Sequence, residues 1–240
     1  MMIDAESSPK TKEISKGLAI VAIGSLCILI SLGSWQLHRL TWKEGLISMR
    51  QAELARPPIP LKSPLTVKPV AFRRVEVRGR FLYKKEILVG PISYYGRAGW
   101  HIVTPLQLVS GDIVLVNRGW VPFAYKLDPH KPSKNKNLDL NVVGVVGWPR
   151  KVSYFDPLNV PEKSQWFRIE PIKMAKKLKL KAVAGYWISI NKVNGKSRYP
   201  IGGVGIEVPS NNHLQYALTW YGMALGLIIL SIVYWRQRRQ

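Results

Sequence analysis

Two long apolar runs, one near each end, constrain this chain more than any other feature. They span residues 17–37 and 214–235, and neither contains an Asp, Glu, Lys or Arg side chain. About 20 apolar residues suffice for a helix to cross the roughly 30 Å hydrocarbon core of a bilayer. We therefore predict a transmembrane helix at each run. A cleaved signal peptide is the alternative for the first run, although that run exceeds the usual apolar length of about 7–15 residues.

Basic residues beside the second run predict the orientation. Arg236 and two further arginines follow that run at once, and cytoplasmic flanks are enriched in Lys and Arg. Two spans place both chain ends on the same side, so we expect cytoplasmic tails at residues 1–16 and 236–240. Residues 38–213 then form an extracytoplasmic domain. The N-terminal tail lacks the Arg-rich, acid-poor composition of a mitochondrial transit peptide, which favours a bacterial inner membrane and a periplasmic domain.

Between the two runs the sequence predicts mainly β structure. Short segments rich in β-branched and aromatic residues alternate with Gly and Pro; they cover residues 72–81, 86–91, 100–108, 112–122, 141–148, 166–170 and 185–190. Such spacing favours an antiparallel sheet that curls or closes on itself. The predicted fold class is a membrane protein in which two transmembrane helices flank an extracytoplasmic, mainly antiparallel β domain with one short helix.

The remaining segments between the runs are assigned to helix or loop. The short helix is expected to begin at Pro171, with Ile172, Ala175 and Leu178 on its apolar face. Residues 40–55 are expected to continue the first span as a helix until two prolines stop it. The lysine-rich residues 126–140 are predicted to form a polar loop.

The charge of the chain is strongly positive. There are 36 Lys plus Arg against 14 Asp plus Glu, a formal net charge of +22. We do not predict nucleic-acid binding, because the basic residues are scattered, no nucleic-acid motif accompanies them, and the domain is expected outside the cytoplasm. Anionic lipid head groups, ligand carboxylates or an acidic partner surface are better candidates. A solvated positive surface without a particular partner is the remaining alternative.

Catalytic and metal-binding motifs are missing from the sequence. It contains no HExxH, GxSxG, P-loop or CxxC motif. The single cysteine, Cys27, excludes an internal disulfide and any site built on several thiolates. We predict that the protein is not an enzyme. An envelope enzyme whose site is assembled from distant positions is the alternative.

A histidine opens the second apolar run. His213 follows the helix-capping residues 210–212, which places it in a first helical turn, and Tyr216, Trp220 and Tyr221 follow on the same face together with Ala217. One interpretation is that this face holds a flat apolar ring while the imidazole ligates iron and the helix start receives carboxylates. The other is that the aromatic residues form an interfacial belt with His213 as a polar cap.

Five sequence blocks resemble a known family. The blocks are LGSWQLHRLTWKEGLI (32–47), FRRVEVRGRF (72–81), GRAGWHIVTPL (96–106), VLVNRGWVP (114–122) and NNHLQYALTWYGMA (211–224). In this order they resemble the Surfeit-locus-one family of cytochrome c oxidase assembly proteins over nearly the whole chain. The resemblance implies a membrane chaperone for haem-copper terminal oxidases, whose bacterial members are associated with binding haem a and helping deliver it to the catalytic subunit. The expected partners are that subunit, a haem a synthase and the lipid bilayer.

The resemblance also implies roles for individual residues. The family's candidate haem ligand maps onto His213, and the aromatic face described above adds Tyr216 and Trp220 as expected haem contacts. We interpret Arg118 as either a structural ion-pair partner or a contact to a haem propionate. His38, at the outer end of the first span, is a further candidate axial ligand if the spans pack side by side.

Two glycine-bearing blocks of the family carry no evident chemistry. A G-x-x-G-x-x-x-x-T-P block and an N-R-G-W block map onto Gly96, Gly99, Thr104 and Pro105, and onto Asn117, Arg118, Gly119 and Trp120. We interpret their glycines as turn positions. The predicted function is assembly of cytochrome c oxidase with haem a as transiently bound cargo, and the alternative is a haem-independent scaffold that stabilises an oxidase subunit.

Overall fold

The computed structural model describes residues 9–61, 68–125, 139–191, 199–206 and 210–237. Most of the predicted lysine-rich loop, residues 126–138, lies outside the described residues. The chain divides into two compact units. Residues 1–49 and 209–240 form the helical unit, and residues 50–208 form the β unit.

Two long helices make up the helical unit. Helix α1 covers Pro9–Ala55 and helix α3 covers His213–Gln237. Both are long and apolar enough to cross a membrane, and the 25 residues of α3 rise about 37 Å. The predicted continuation of the first run as a helix as far as residue 55 is confirmed.

The two helices of this unit pack antiparallel along one face of each. Most residues of α1 that face α3 follow steps of three, four or seven, which keeps them on one side of a helix; these are Ala19, Ala22, Leu26, Gly33, Gln36, Leu40 and Lys43. Small residues allow a close approach, because Ala217 and Ala224 of α3 are buried. A Cβ atom on Gly33 would lie 2.9 Å from the ring of Tyr221.

Among its described residues, the β unit contains seven strands and one short helix in addition to the end of α1. The elements are β1 Ile59–Pro60, β2 Arg74–Phe81, β3 Ile87–Tyr94, β4 Arg97–Leu108, β5 Ile113–Pro122, β6 Leu140–Gly147, α2 Pro171–Lys177 and β7 Val183–Ile190. Five strands close into a ring in the order β2, β6, β7, β5, β4 and back to β2. Strand β3 extends from β4, and β1 extends from β2.

The ring is antiparallel apart from one pair. Strand β7 runs parallel to β5, and the other four ring pairings are antiparallel. A closed ring with an odd number of strands cannot be antiparallel throughout, since direction would have to alternate around an odd cycle. The predicted antiparallel sheet that closes on itself is therefore confirmed, with this one parallel pair.

Two apolar clusters stabilise the β unit. The first fills the ring with alternate residues of its strands, among them Val75, Leu106 and Ile188, each fully buried. The second joins Trp166 and Met174 of the connection between β6 and β7 to strands β3, β4 and β5. Helix α2 buries Met174 and Ala175, whereas Ile172 is 62% exposed, so its predicted apolar face is wrong at that position.

The predicted strand at residues 166–170 does not form. The Asn159 side chain accepts hydrogen bonds from the backbone N–H groups of Phe167 (2.7 Å) and Arg168 (3.2 Å). These two N–H groups are therefore not available to pair with a neighbouring strand, and the segment forms a local loop instead. The short helix begins at Pro171 as predicted and ends at Lys177.

Candidate functional site

Gln36 of α1 holds the ring of His213, the first residue of α3. The His213 Nδ1 atom lies 2.7 Å from the Gln36 Oε1 atom. An imidazole that donates its hydrogen from Nδ1 keeps a lone pair on Nε2. Histidines that ligate metals commonly have their other ring nitrogen fixed by an acceptor of this kind. The arrangement is therefore suited to axial ligation through Nε2.

A positive charge lies at the start of α3. Lys43 Nζ donates to the carbonyl oxygen of Ser210 over 2.7 Å, and Asn211 Nδ2 donates to the carbonyl oxygen of Leu40 over 3.4 Å. These two contacts tie the segment before α3 to α1. The first turn of a helix also offers N–H groups without partners inside the helix. The ammonium group and the helix start together form a surface that can receive carboxylates.

The aromatic residues after His213 divide between two environments. Tyr221 packs on Gly33, and its hydroxyl lies 3.1 Å from Ser34 Oγ. Tyr216 is 56% exposed and Trp220 is half-buried. Tyr221 therefore has a structural role between the helices, while Tyr216 and Trp220 remain accessible as the predicted ligand contacts.

His38 and Gln36 lie on different sides of α1. Two residues along a helix correspond to about 200° of rotation. The His38 side chain is exposed, whereas Gln36 contacts His213. The position that faces His213 is thus taken by Gln36, which the sequence analysis overlooked. The steps of three and seven that link Gly33, Gln36 and Lys43 could have identified it, because they place all three on one face.

In the β unit, Arg118 forms an ion pair with Glu86. Arg118 Nη1 donates to Glu86 Oε1, and the Thr104 hydroxyl donates to the same oxygen over 2.8 Å. The guanidinium also lies 5.6 Å from the ring centroid of Phe81 and 5.0 Å from that of Tyr83. Arg118 therefore has the structural ion pair considered above. A contact with a haem propionate remains a prediction.

A β-bulge sets the direction of the Arg118 side chain. Gly119 pairs with Ile102 and Asn117 pairs with Val103, so Arg118 is an extra residue between two adjacent pairs. A bulge of this kind re-aims a side chain and bends the strand. The predicted turn positions Gly99 and Gly119 are wrong, because these residues lie inside β4 and β5. Gly96, with φ +73°, does occupy the turn between β3 and β4.

His101 and Asn117 form a buried polar pair inside the β unit. Asn117 Oδ1 accepts from the Gly119 N–H over 3.0 Å, so the amide nitrogen faces His101 Nδ1 at 3.2 Å. Nδ1 must then be the acceptor, and the ring hydrogen resides on Nε2. If the His101 ring carried a second hydrogen, on Nδ1, that hydrogen would point at the N–H₂ group of Asn117, which is also a donor. Burial lowers the pKa of His101 to about 4, from its ordinary value of 6.5.

This pair predicts that the protein loses stability in mild acid. Between pH 6.5 and about 4 the unfolded chain binds a proton at His101 that the folded chain does not bind. The free energy of unfolding should therefore fall as the pH falls through this window, by about 2 kcal/mol between pH 7 and pH 5. Denaturant unfolding of the full chain in mild detergent, followed by tryptophan fluorescence at both pH values, measures the effect.

His101→Gln should remove this contribution, because the glutamine amide oxygen can accept from Asn117 and does not titrate. His38→Gln, at an exposed position in α1, is the matched control. An equal loss of stability on acidification in wild type and His101→Gln would contradict the assignment.

Clusters of metal-ligating side chains are missing from the described residues. Within them, no three His, Cys, Asp or Glu side chains are grouped so that they could hold a metal ion.

Comparison with known proteins supports the resemblance seen in the sequence blocks. The SURF1 family model matches residues 23–225. A SURF1-like protein of Rickettsia felis is 30% identical over 221 residues, covering 90% of this chain and 96% of the relative. Surfeit locus protein 1 of mouse is 33% identical over 209 residues (80% and 67%), and that of human is 30% identical over 238 residues (92% and 78%). Because the family model covers the β unit and part of each apolar run, the chain belongs to the SURF1 family.

Proposed function

We propose that this protein is a membrane-anchored assembly factor for cytochrome c oxidase that binds haem a at His213 and helps deliver it to the catalytic subunit. Family membership supports the role in oxidase assembly. The hydrogen bond from His213 to Gln36 is the single observation that carries the haem-binding step. Since the family is one of assembly factors, we expect no catalytic activity.

The membrane placement is part of the proposal. Helices α1 and α3 would cross the inner membrane of a bacterium, with both chain ends in the cytoplasm and the β unit outside it. The length and apolar composition of both helices and the arginines after residue 235 support this topology. The similarity to a bacterial relative supports the compartment.

The residues around His213 match the chemistry of a haem. Nε2 would hold the iron, and Tyr216 and Trp220 would offer aromatic surface to the macrocycle. Lys43 and the start of α3 offer a positive end for the propionate carboxylates. A single histidine fits a carrier better than two, because a chaperone has to release its cargo.

Replacing His213 by alanine should abolish the haem a spectrum of the purified protein. The change removes the iron ligand and leaves the aromatic residues of α3 in place. The measurement is the absorption spectrum of the full chain, purified in detergent after co-production with a haem a synthase. Wild type should carry haem a, and His213→Ala should lose its spectrum or show a shifted one.

Two further variants sharpen this test. His38→Ala, an exposed histidine on α1, should keep the wild-type spectrum. Gln36→Leu keeps the ligand but removes its acceptor, and should weaken haem affinity about tenfold, as loss of such supporting hydrogen bonds commonly does. A folded, membrane-inserted wild type without haem would contradict the carrier mechanism.

The second candidate function is a haem-independent scaffold that stabilises an oxidase subunit during assembly. The exposed surface of the β unit favours it, because that unit offers large apolar side chains for protein contacts. Normal oxidase assembly with His213→Ala, together with loss of assembly when the whole protein is deleted, would support the scaffold. Both the haem carrier and the scaffold would have the catalytic subunit of the oxidase as a partner. Only the haem carrier would also have a haem a synthase as a partner.

A further inference from the structure

The loop between β6 and α2 displays two aromatic side chains to solvent. Tyr154 is 95% exposed and Phe155 is 91% exposed, and their ring centroids lie 5.3 Å apart. Val152 and Leu158 beside them are also exposed. We call residues 150–158 the aromatic turn. Burial in the β unit does not explain these side chains, and contiguous exposed apolar surface commonly marks an interaction site.

Internal hydrogen bonds fix the shape of the aromatic turn. Both carboxylate oxygens of Asp156 accept from the Arg150 guanidinium, over 2.7 and 2.8 Å. The Ser153 N–H donates to Asp156 over 2.8 Å, and the Asp156 N–H donates to the Ser153 carbonyl over 3.1 Å. The turn is thereby held in one conformation with its rings outward, which lowers the entropy cost of binding.

The chemistry of this turn fits the interface of an anionic lipid bilayer. Aromatic side chains are favoured at the level of lipid head groups, and basic side chains are attracted to anionic lipids. Arg150 remains 67% exposed despite its ion pair, and Lys151 is exposed. Residues 38–213 carry 30 Lys plus Arg against 11 Asp plus Glu, so the surrounding domain has the complementary charge as well.

Both ends of the β unit are joined to segments of the proposed membrane anchor. The β unit is continuous at residue 50 with the helix that contains the first apolar run, and the second run follows its other end. A tether at both ends gives the β unit a high effective concentration at a membrane surface, so a weak lipid contact would be occupied. We propose that the aromatic turn inserts Tyr154 and Phe155 into the bilayer interface. This inference rests on the membrane placement proposed above.

Site-specific quenching by lipid tests the contact in the full chain. A polarity-sensitive fluorophore is attached to Phe155→Cys in a Cys27→Ser background, and the protein is reconstituted into vesicles of phosphatidylethanolamine and phosphatidylglycerol. Lipids with a spin label near the head group should quench the probe. The emission of the probe should also lie at shorter wavelength than in the chain unfolded by urea without detergent. Val109→Cys, at a 79% exposed position in another turn, is the matched control and should be quenched less.

A probe at Ile229→Cys in α3, tested with lipids that carry the spin label within the acyl chains, separates the two levels of the proposal. Quenching at Ile229 without quenching at Phe155 would overturn the lipid contact while leaving the membrane anchor in place. Lack of quenching at Ile229 would overturn the membrane placement and the inference with it. If Phe155 is not quenched and Tyr154→Ser with Phe155→Ser impairs oxidase assembly, the turn instead contacts a protein partner.

Discussion

Replacing Gly119 by alanine should destabilise the β unit by about 4 kcal/mol, a large part of the 5–15 kcal/mol typical of a whole domain. Gly119 has φ +127°, a conformation that L side chains rarely adopt. An added Cβ would also lie 2.2 Å from the carbonyl oxygen of Ile201. Two backbone hydrogen bonds of 2.8 Å between Trp120 and Ile201 hold that oxygen in place. The neighbouring backbone therefore cannot move without losing them.

Denaturant unfolding of the full chain in mild detergent would measure this effect. Gly185→Ala is the matched control, because the Cβ position at Gly185 in β7 has no heavy atom within 4 Å. We expect the control to change the free energy of unfolding by less than about 1 kcal/mol, since alanine loses less backbone entropy than glycine on folding. A Gly119→Ala protein that unfolds at the wild-type denaturant concentration would contradict the argument.

Breaking the ion pair between Glu86 and Arg118 should cost about 2–3 kcal/mol. Loss of one partner of a fully buried pair costs about 3–5 kcal/mol, and the smaller value reflects the 22% exposure of the Arg118 side chain. Glu86→Gln keeps an acceptor for Thr104 but leaves the guanidinium without a counter-charge. Arg118→Met keeps apolar contact with Tyr83 but leaves the carboxylate unpaired.

The double variant provides the control for this pair. Glu86→Gln with Arg118→Met removes both charges, so its loss of stability should be smaller than the sum of the two single losses. Additive losses would show that the two groups do not interact. Arg118→Met also separates the two interpretations of Arg118, because a folded variant with weakened haem a binding would support a propionate contact, and unchanged binding would support the structural role alone.

Most elements of the fold could be predicted from local sequence patterns. Seven segments were predicted as strands from their β-branched residues, and six of them form strands in the structure. Pro171 likewise marked the start of α2. The segment at residues 166–170 was misassigned, because its composition suits a strand while Asn159, seven residues earlier, takes its backbone donors. A side chain that competes for backbone hydrogen bonds leaves no periodic signal in the sequence.

The candidate site was only partly predictable. His213 could be selected because it opens an apolar run after capping residues, but its partner Gln36 lies 177 positions earlier in the chain. That contact depends on how α1 and α3 pack. The glycines at positions 99 and 119 were misassigned for a related reason, since neighbouring strands, rather than a local turn, exclude a side chain there. Contacts between segments that are distant in the sequence therefore determine both the partner of His213 and the need for glycine at positions 99 and 119.

The position of β7 in the chain has a consequence for synthesis. Strand β5 ends at Pro122, while β7, which pairs with both β5 and β6, begins only at Val183. At roughly 5–20 residues per second the ribosome needs about 3–12 s to add the intervening segment. During that interval the nascent chain exposes two strand edges that can pair with other chains. A ring that closes with its last strand thus leaves the nascent chain open to mispairing until β7 has been made.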